Sequence, residues 1–524
     1  MIDDPRDSYD EILYPSYLHM QTNPERLATM ATFFGMEPAP VEHCRVLELG
    51  CNDGGNLIPY AFSLPESVFV GIDLAARPIH YGQAIIEELG LKNIELRRFD
   101  VMDVDANFGE FDYIIAHGLY SWVPPPVREK ILDLCRRNLA PRGVAYVSYN
   151  AYPGCHLRDM TREMMLFHTQ HVTDPEEKIV QAMALLKFLA DSFAEPDLYR
   201  MFLQKELEHV LERRREQMFH DDMAEFNQPY YFHQFARDAA AHGLQFLSEA
   251  DFFEMQDHLY SPQVKEALRI MSSDIIAKEQ YLDFVRCRRF RQTLLCHKEE
   301  TLNRQVRPER MHKFHIASSA RAISETPDIG GSSVEEFQGP KGALMKTDHP
   351  VAKAAIVCLG EIYPQSLRFE ELLQHALERS GQAAGVEASQ RETDALVLGD
   401  ILLQLYAAGM VELHVHQPQL VTEPGEHPLA SRLARWQISK GVVVTTLLCT
   451  GLEVEDAFGQ RLLQLLDGTR GRAALLKELK ALLEDGSLVL EDKSGEARRE
   501  FLENLPELLE QSLARFAKLG LLVA

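Results

Sequence analysis

The chain has no CxxC pair, no apolar run of membrane-spanning length and no excess of positive charge. Its eight cysteines are scattered at 44, 51, 135, 155, 287, 296, 358 and 449. Cys287, Cys296 and His297 lie near one another but off zinc spacing, so no metal site is expected. Buried or idle thiols in a reducing cytoplasm fit this usage instead. The apolar stretch Gly441–Cys449 is far shorter than the roughly 20 residues a membrane helix requires. Met1-Ile2-Asp3-Asp4-Pro5 is acidic and lacks the basic-then-apolar order of a signal peptide. A cytoplasmic protein without a membrane partner is therefore expected. Lys and Arg number 54 against 79 Asp and Glu, a formal charge of −25. That balance argues against wrapping nucleic acid, whose phosphates reward basic surfaces. It suits a basic partner and equally serves solubility. No internal repeat stands out, and 524 residues exceed one core, so two to four domains are expected.

What is present is organised around Val46-Leu47-Glu48-Leu49-Gly50-Cys51-Asn52-Asp53-Gly54-Gly55-Asn56. An apolar run ends in small and polar residues, and Leu57, Ile58, Tyr60 and Ala61 resume at helical spacing. The pattern predicts a buried parallel strand, a tight turn and a helix N-terminus. Glycine permits positive φ there, and free N–H groups at the helix start favour an anionic ligand group. Gly50, Asn52 and Gly55 alone would also pass for a loose dinucleotide fingerprint. Val68–Asp73 is a second strand ending in an acid, nineteen residues past Gly54, where a ribose-binding carboxylate belongs. Three more strands are predicted: Ile94–Asp100, Phe111–His117 and Gly143–Tyr149. Asp112 is read as closing an element end, not as catalytic.

In order and spacing, residues 44–150 resemble the class I S-adenosylmethionine-dependent methyltransferases. The resemblance implies S-adenosyl-L-methionine as cofactor and a seven-stranded Rossmann-like α/β core. It places the Gly50–Gly54 turn at the methionine part, Asp73 at the ribose hydroxyls, and Asp100 with Val101 at the adenine. His117 closes the sulfonium side, while Glu48, Asn56 and Leu74 join the cofactor set. Asn52 departs from the usual second glycine, yet Asn tolerates left-handed backbone, so binding is expected to survive. Thr22-Asn23-Pro24-Glu25 reads as the capped start of a helix over 26–34. Ahead of it, Tyr14 and Ser16 either line the pocket or, for Tyr14, pack that helix onto the sheet. Two loops follow carboxyl ends of strands, Gly118–Pro124 and Asn150–Gly154, where an open α/β sheet places its ligand. With His117 they offer Tyr120, Trp122, Tyr149 and Tyr152 as a substrate channel, an aromatic rim suited to lysine and its methylated ammonium.

The remaining chain reads as a helical insertion at 157–228 and a return near 230 through helix and strand to complete a core spanning 1–260. A helical regulatory region follows at 261–320, then a middle domain at 321–420 and a winged-helix-like α+β domain at 421–524. The stretch 317–347 is rich in Ser, Gly and Pro and reads as a linker. Arg470 and Arg472 read as a turn leading into a helix. With Leu-Glu-Leu-Gly-Cys at 47–51, His-Gly-Leu-Tyr-Ser-Trp-Val-Pro at 117–124, Tyr-Asn-Ala-Tyr-Pro-Gly at 149–154 and Pro-Tyr-Tyr-Phe-His-Gln-Phe at 229–235, a narrower likeness appears. The chain resembles bacterial methyltransferases with a methyltransferase regulatory domain, and is similar to the rickettsial lysine methyltransferases of outer-membrane protein B. That implies a protein substrate with an accessible lysine, and a homodimer through the helices after the core. A small-molecule methyltransferase, or a non-catalytic cofactor-binding regulator, is the alternative. The absence of Asn-Pro-Pro-aromatic after the fourth strand disfavours a nucleic-acid methyltransferase.

Overall fold

The computed structural model describes residues 14–192, 197–212, 214–224, 226–257, 259–382, 388–488 and 495–524. Asn23 accepts the Glu25 N–H at 3.0 Å and Pro24 takes the first helical position, so α1 (Pro24–Phe33) starts at its sequence signal. The parallel strands β1 (Arg45–Leu49), β2 (Val68–Asp73), β3 (Ile94–Arg98), β4 (Phe111–Ala116) and β5 (Leu139–Asn150) alternate with α2 (Leu57–Ser63), α3 (Ala76–Leu89) and α4 (Pro125–Arg137). The insertion follows as α5 (Cys155–Thr169), α6 (Pro175–Asp191), α7 (Leu198–Leu211) and a π-helical turn at Met218–Asp222. Next come α8 (Phe232–Ala241), β6 (Leu244–Glu249), α9 (Pro262–Met271), α10 (Ile275–Arg286) and β7 (Phe290–His297). The seven strands run β3-β2-β1-β4-β5-β7-β6, with β7 antiparallel between β5 and β6. Both faces are covered: Val46, Tyr113 and Val144 enter one core cluster, and Leu47, Ile114 and Ala145 the other.

The first unit, expected to span 1–260, therefore does not end there. The regulatory region supplies β7 from inside the sheet, because one buried hub ties it there. Arg291 of β7 is fully buried and donates to Glu249 of β6 at 2.6 Å and to Asp283 of α10 at 2.8 and 2.9 Å. Its guanidinium also lies 3.9 Å from the Phe232 ring centroid. An arginine with such partners can be buried only where they all meet, which fixes α8, α10, β6 and β7 as one block.

Nor is 317–347 a linker. It carries β9 (Arg321–Ala322), β10 (Glu335–Gln338) and β11 (Leu344–Thr347), a three-stranded sheet, after β8 (His315–Ala317) has paired with strands at Leu367–Arg368 and Glu412–His414. Phe337 is fully buried, and the buried Lys353 donates to the Gly331 and Ser333 carbonyls at 2.9 Å each. The Ser/Gly-rich loop is thus closed by a lysine that its composition gives no hint of. The middle helices Pro350–Ile362, Phe369–Arg379 and Ala388–Ala407 extend the core cluster of the seven-stranded unit, with Tyr406 stacked on Phe252 at 5.3 Å. The C-terminal unit has its own core around Leu462, Leu479 and Leu509 and carries the hairpin Val443–Thr445/Gly451–Glu453. Arg470 pairs with Asp467 at 2.5 Å ahead of the helix Arg472–Glu484.

Candidate functional site: a cradle and an arm

A cavity of about 630 Å³ opens at the carboxyl ends of β1, β2 and β4 and continues between the β4 loop and the insertion. Its first part is a cradle made largely of backbone. Gly50, Asn52 and Gly54 take φ of 72°, 51° and 75°, and these left-handed residues fold the turn after β1. The Asn52 N–H donates to Asp73 Oδ2 at 2.8 Å, and the Ala75 N–H to Asp73 Oδ1 at 2.9 Å. Asp73 is thus held by the turn and by the chain leading into α3. Asn52 has a second use, since its Nδ2 donates to the Tyr14 carbonyl at 2.8 Å and to Ser16 Oγ at 3.0 Å. A glycine there could not strap the N-terminal segment over the turn. Ser16 in turn donates to Asp53.

Glu48 lies buried beneath the cradle. One carboxylate oxygen accepts from Asn56 Nδ2 at 2.7 Å, while Oε2 is buried with no hydrogen-bond partner. Burial pushes the carboxyl up to about 8, against the lowering effect of the Asn56 hydrogen bond. Such an orphaned acceptor is costly unless a ligand donor completes it. Leu74, Asp100 and Val101 line the opposite wall, with Asp100 Oδ1 accepting the Met102 N–H at 2.9 Å. Gly54 sits behind the wall, where an added Cβ would meet Leu96 at 2.8 Å. A close approach at α3 also shapes the cradle. A Cβ on Gly82 of α3 would lie 2.2 Å from the Asp53 carbonyl, so α3 packs directly on the cradle turn.

At the junction, His117 lines the cavity and shares a 2.9 Å hydrogen bond between its Nδ1 and the Tyr146 hydroxyl. Burial and the neighbouring His19 hold its imidazole well below the usual range, hence uncharged. Beyond it the cavity becomes an arm of side chains. Trp122 is half-buried on its wall, with the Arg158 guanidinium 5.5 Å from the ring. Arg158 Nε donates to Asp222 Oδ1 at 2.8 Å, and Arg289 Nη2 to Glu206 Oε1 at 2.5 Å. Asp221, His209 and Phe226 also line this part of the wall.

Three aromatic residues of the expected channel lie elsewhere. Tyr120 and Tyr149 are each 1% exposed and pack with Tyr230 and Phe235 in the core under α8. Tyr152 turns away to stack on His156 at 4.0 Å and to donate to Asp159 at 3.1 Å. The first loop forms a 3-10 turn at Tyr120–Trp122, so consecutive aromatics point to different sides and only Trp122 reaches the cavity. Asp112 accepts the Arg45 N–H at 2.8 Å at the strand edge, away from the cavity. Among the described residues no group of three or more His, Cys, Asp or Glu could hold a metal ion, and no helix is long and apolar enough to cross a membrane.

Residues 47–145 match a methyltransferase domain model, residues 214–297 a predicted methyltransferase regulatory domain, and residues 426–521 the PKMT C-terminal winged helix domain. The regulatory match contains both β6 and β7, so that segment is part of the catalytic sheet. The uncharacterized protein RP789 of Rickettsia prowazekii is 33% identical over 98% of this chain and 93% of its own length. The solved structure of PKMT2 from Rickettsia typhi superposes with a TM-score of 0.85 at 28% identity, over 98% of this chain and 100% of its own. That protein has also been solved in complex with AdoHcy, at the same TM-score of 0.85. The cradle fits such a ligand, with an unpartnered buried carboxylate oxygen for a cationic group and a glycine turn open to backbone approach. S-adenosylmethionine is accordingly the cofactor, and the chain belongs to the class I S-adenosylmethionine-dependent methyltransferases, in the family of the rickettsial PKMT proteins.

Proposed function

We propose that the chain methylates the side-chain nitrogen of lysine in a protein substrate. The observation that carries this reading is the arm: Trp122 and Phe226 flank it, and three carboxylates, Glu206, Asp221 and Asp222, face two guanidinium groups, Arg158 and Arg289. These carboxylates give the arm an acidic wall that suits an ammonium, and the apolar walls favour its neutral form. The PKMT relatives, whose abbreviation stands for protein lysine methyltransferase, support the same acceptor.

When bound, the cofactor supplies a methyl group already activated on a sulfonium, so the protein's work is alignment. A lysine of pKa near 10.4 must lose its proton first, at a cost of about 4.6 kcal/mol at pH 7. The arm lowers that cost by desolvation, and His117, uncharged at the junction, adds no positive charge beside the sulfonium position. A homodimer belongs to this proposal. Phe167, Phe188 and Leu198 of the insertion are 74%, 66% and 85% exposed, and sedimentation should give twice the monomer mass.

The test is incubation of the purified protein with methyl-labelled S-adenosylmethionine and lysate of its source organism. Label on a protein band, mapped to lysine by mass spectrometry, is the expected result. Label confined to small molecules would establish the small-molecule alternative, and measurable cofactor binding without any label would point to a regulator.

A further inference from the structure

The N-terminal segment carries one more ring into the cavity. His19 stacks on His117, with centroids 3.8 Å apart and planes 30° apart, and both line the cavity where the cradle meets the arm. The backbone of His19 is fixed by the cradle. Its N–H donates to Asn56 Oδ1 at 2.9 Å, and its carbonyl accepts from the Tyr60 hydroxyl at 2.7 Å and Thr22 Oγ1 at 2.8 Å. Asn56 is itself anchored on Glu48. The ring is thereby aimed, yet among the described residues neither of its nitrogens has a hydrogen-bond partner. His117, by contrast, has Nδ1 engaged with Tyr146.

Burial holds the His19 imidazole down to about 4, so it is uncharged at neutral pH. An uncharged imidazole keeps one nitrogen lone pair that accepts an N–H. It is a poor proton acceptor from an ammonium of pKa about 10.4, since the basicities differ by about six pH units. Hydrogen bonding, not deprotonation, is the chemistry left to it.

We infer that His19 orients the methyl acceptor: its free nitrogen accepts an N–H from the neutral amine and turns the amine lone pair toward the transferring methyl. This rests on the amine-acceptor reading above. The substrate ammonium first gives one proton to water. The amine lone pair then forms the N–C bond as the C–S pair goes to sulfur, and the secondary ammonium product sheds its proton to water. His19 keeps the same protonation state throughout.

His19→Phe retains a stacking ring without the lone pair, while His19→Asn and His19→Gln restore an acceptor near the Nδ1 or Nε2 position. Each variant is assayed for the rate of methyl labelling of the protein fraction of source-organism lysate at saturating cofactor. Affinity for S-adenosylhomocysteine is measured in parallel by calorimetry. His19→Phe is expected to label at least about 30-fold more slowly with cofactor affinity within about threefold of wild type. One of the amide variants should recover about tenfold of that loss. The wild-type pH–rate profile should show no imidazole inflection between about pH 5 and 8. Wild-type labelling by His19→Phe, a matching loss of cofactor affinity, or amide variants as slow as His19→Phe would each overturn the inference alone. A wild-type enzyme that labels no lysine overturns the amine reading, and this inference with it.

Discussion

The cradle and the arm of one cavity are built from different materials. The cradle is backbone: positive-φ residues, N–H groups on Asp73 and one buried carboxyl, all from two consecutive strand–helix units. The arm is side chains from segments far apart in sequence, with Trp122 after β4, Arg158 on α5, Glu206 on α7, Asp222 on the π turn and Arg289 before β7. A backbone site tolerates little change in packing, whereas a site of paired charges depends on keeping each partner.

Substitutions should separate the two. The largest effect is expected at Asp222, whose side chain is 4% exposed against 13% for Arg158. Asp222→Asn removes the nearer of the two carboxylates beside the Arg158 guanidinium, Asp221 being the other, and chemical denaturation should show a loss of about 3 kcal/mol. Affinity for S-adenosylhomocysteine in the folded fraction should be nearly unchanged, and a loss there would erase the distinction. Next comes Gly82→Ala, one methyl group against the Asp53 carbonyl. It should cost about 1–3 kcal/mol of stability, and the displaced turn should weaken cofactor binding by at least about tenfold.

A pH dependence sharpens the cradle further. The Glu48 carboxyl stands at about 8 in the folded protein against an ordinary value of 4.5, so the folded state holds the extra proton between those limits. Its contribution to stability is therefore fully present below 4.5 and is lost as pH rises through 8. A cationic ligand group against Oε2 favours the carboxylate. Cofactor affinity should then fall by up to about tenfold per unit as pH drops below 8, with close to one proton released on binding at pH 7. Calorimetry in buffers of different ionisation enthalpy reads that proton directly, and Glu48→Gln should abolish it. The smallest effect is expected at Asn52→Gly. It relieves a φ of 51° but removes the strap to Tyr14 and Ser16, and a net loss of about 1 kcal/mol in cofactor binding would show that the strap outweighs the backbone relief.

This contrast also explains what could be read in advance. Glu48, Gly50, Asn52, Asn56, Asp73, Leu74, Asp100, Val101 and His117 all line the cavity, where the resemblance to the methyltransferases implied a cofactor. Each is local: a strand end fixes where the next residue points. Tyr120 and Tyr149 failed because loop position alone does not say which side of a turn faces the ligand. Arg158, Glu206 and Asp222 sit in helices whose charge pattern looks like that of any solvated face. Arg291 and Lys353 are buried cations that only an assembled set of acceptors makes affordable, so the segments they close read as a separate region and a linker.

By itself, the sequence determined the parallel half of the sheet, the glycine turn, the acid that ends β2 and the chain's return near 230. Continuous apolar runs, positive-φ residues and strand-end chemistry are written within a few residues of where they act. Tertiary structure alone decided that β7 lies inside the sheet and that the middle unit shares the catalytic core. It also decided that the arm is walled by charges from four separate segments. Those features depend on which distant partners satisfy a buried charge or cover an apolar face, and composition and spacing do not encode that pairing.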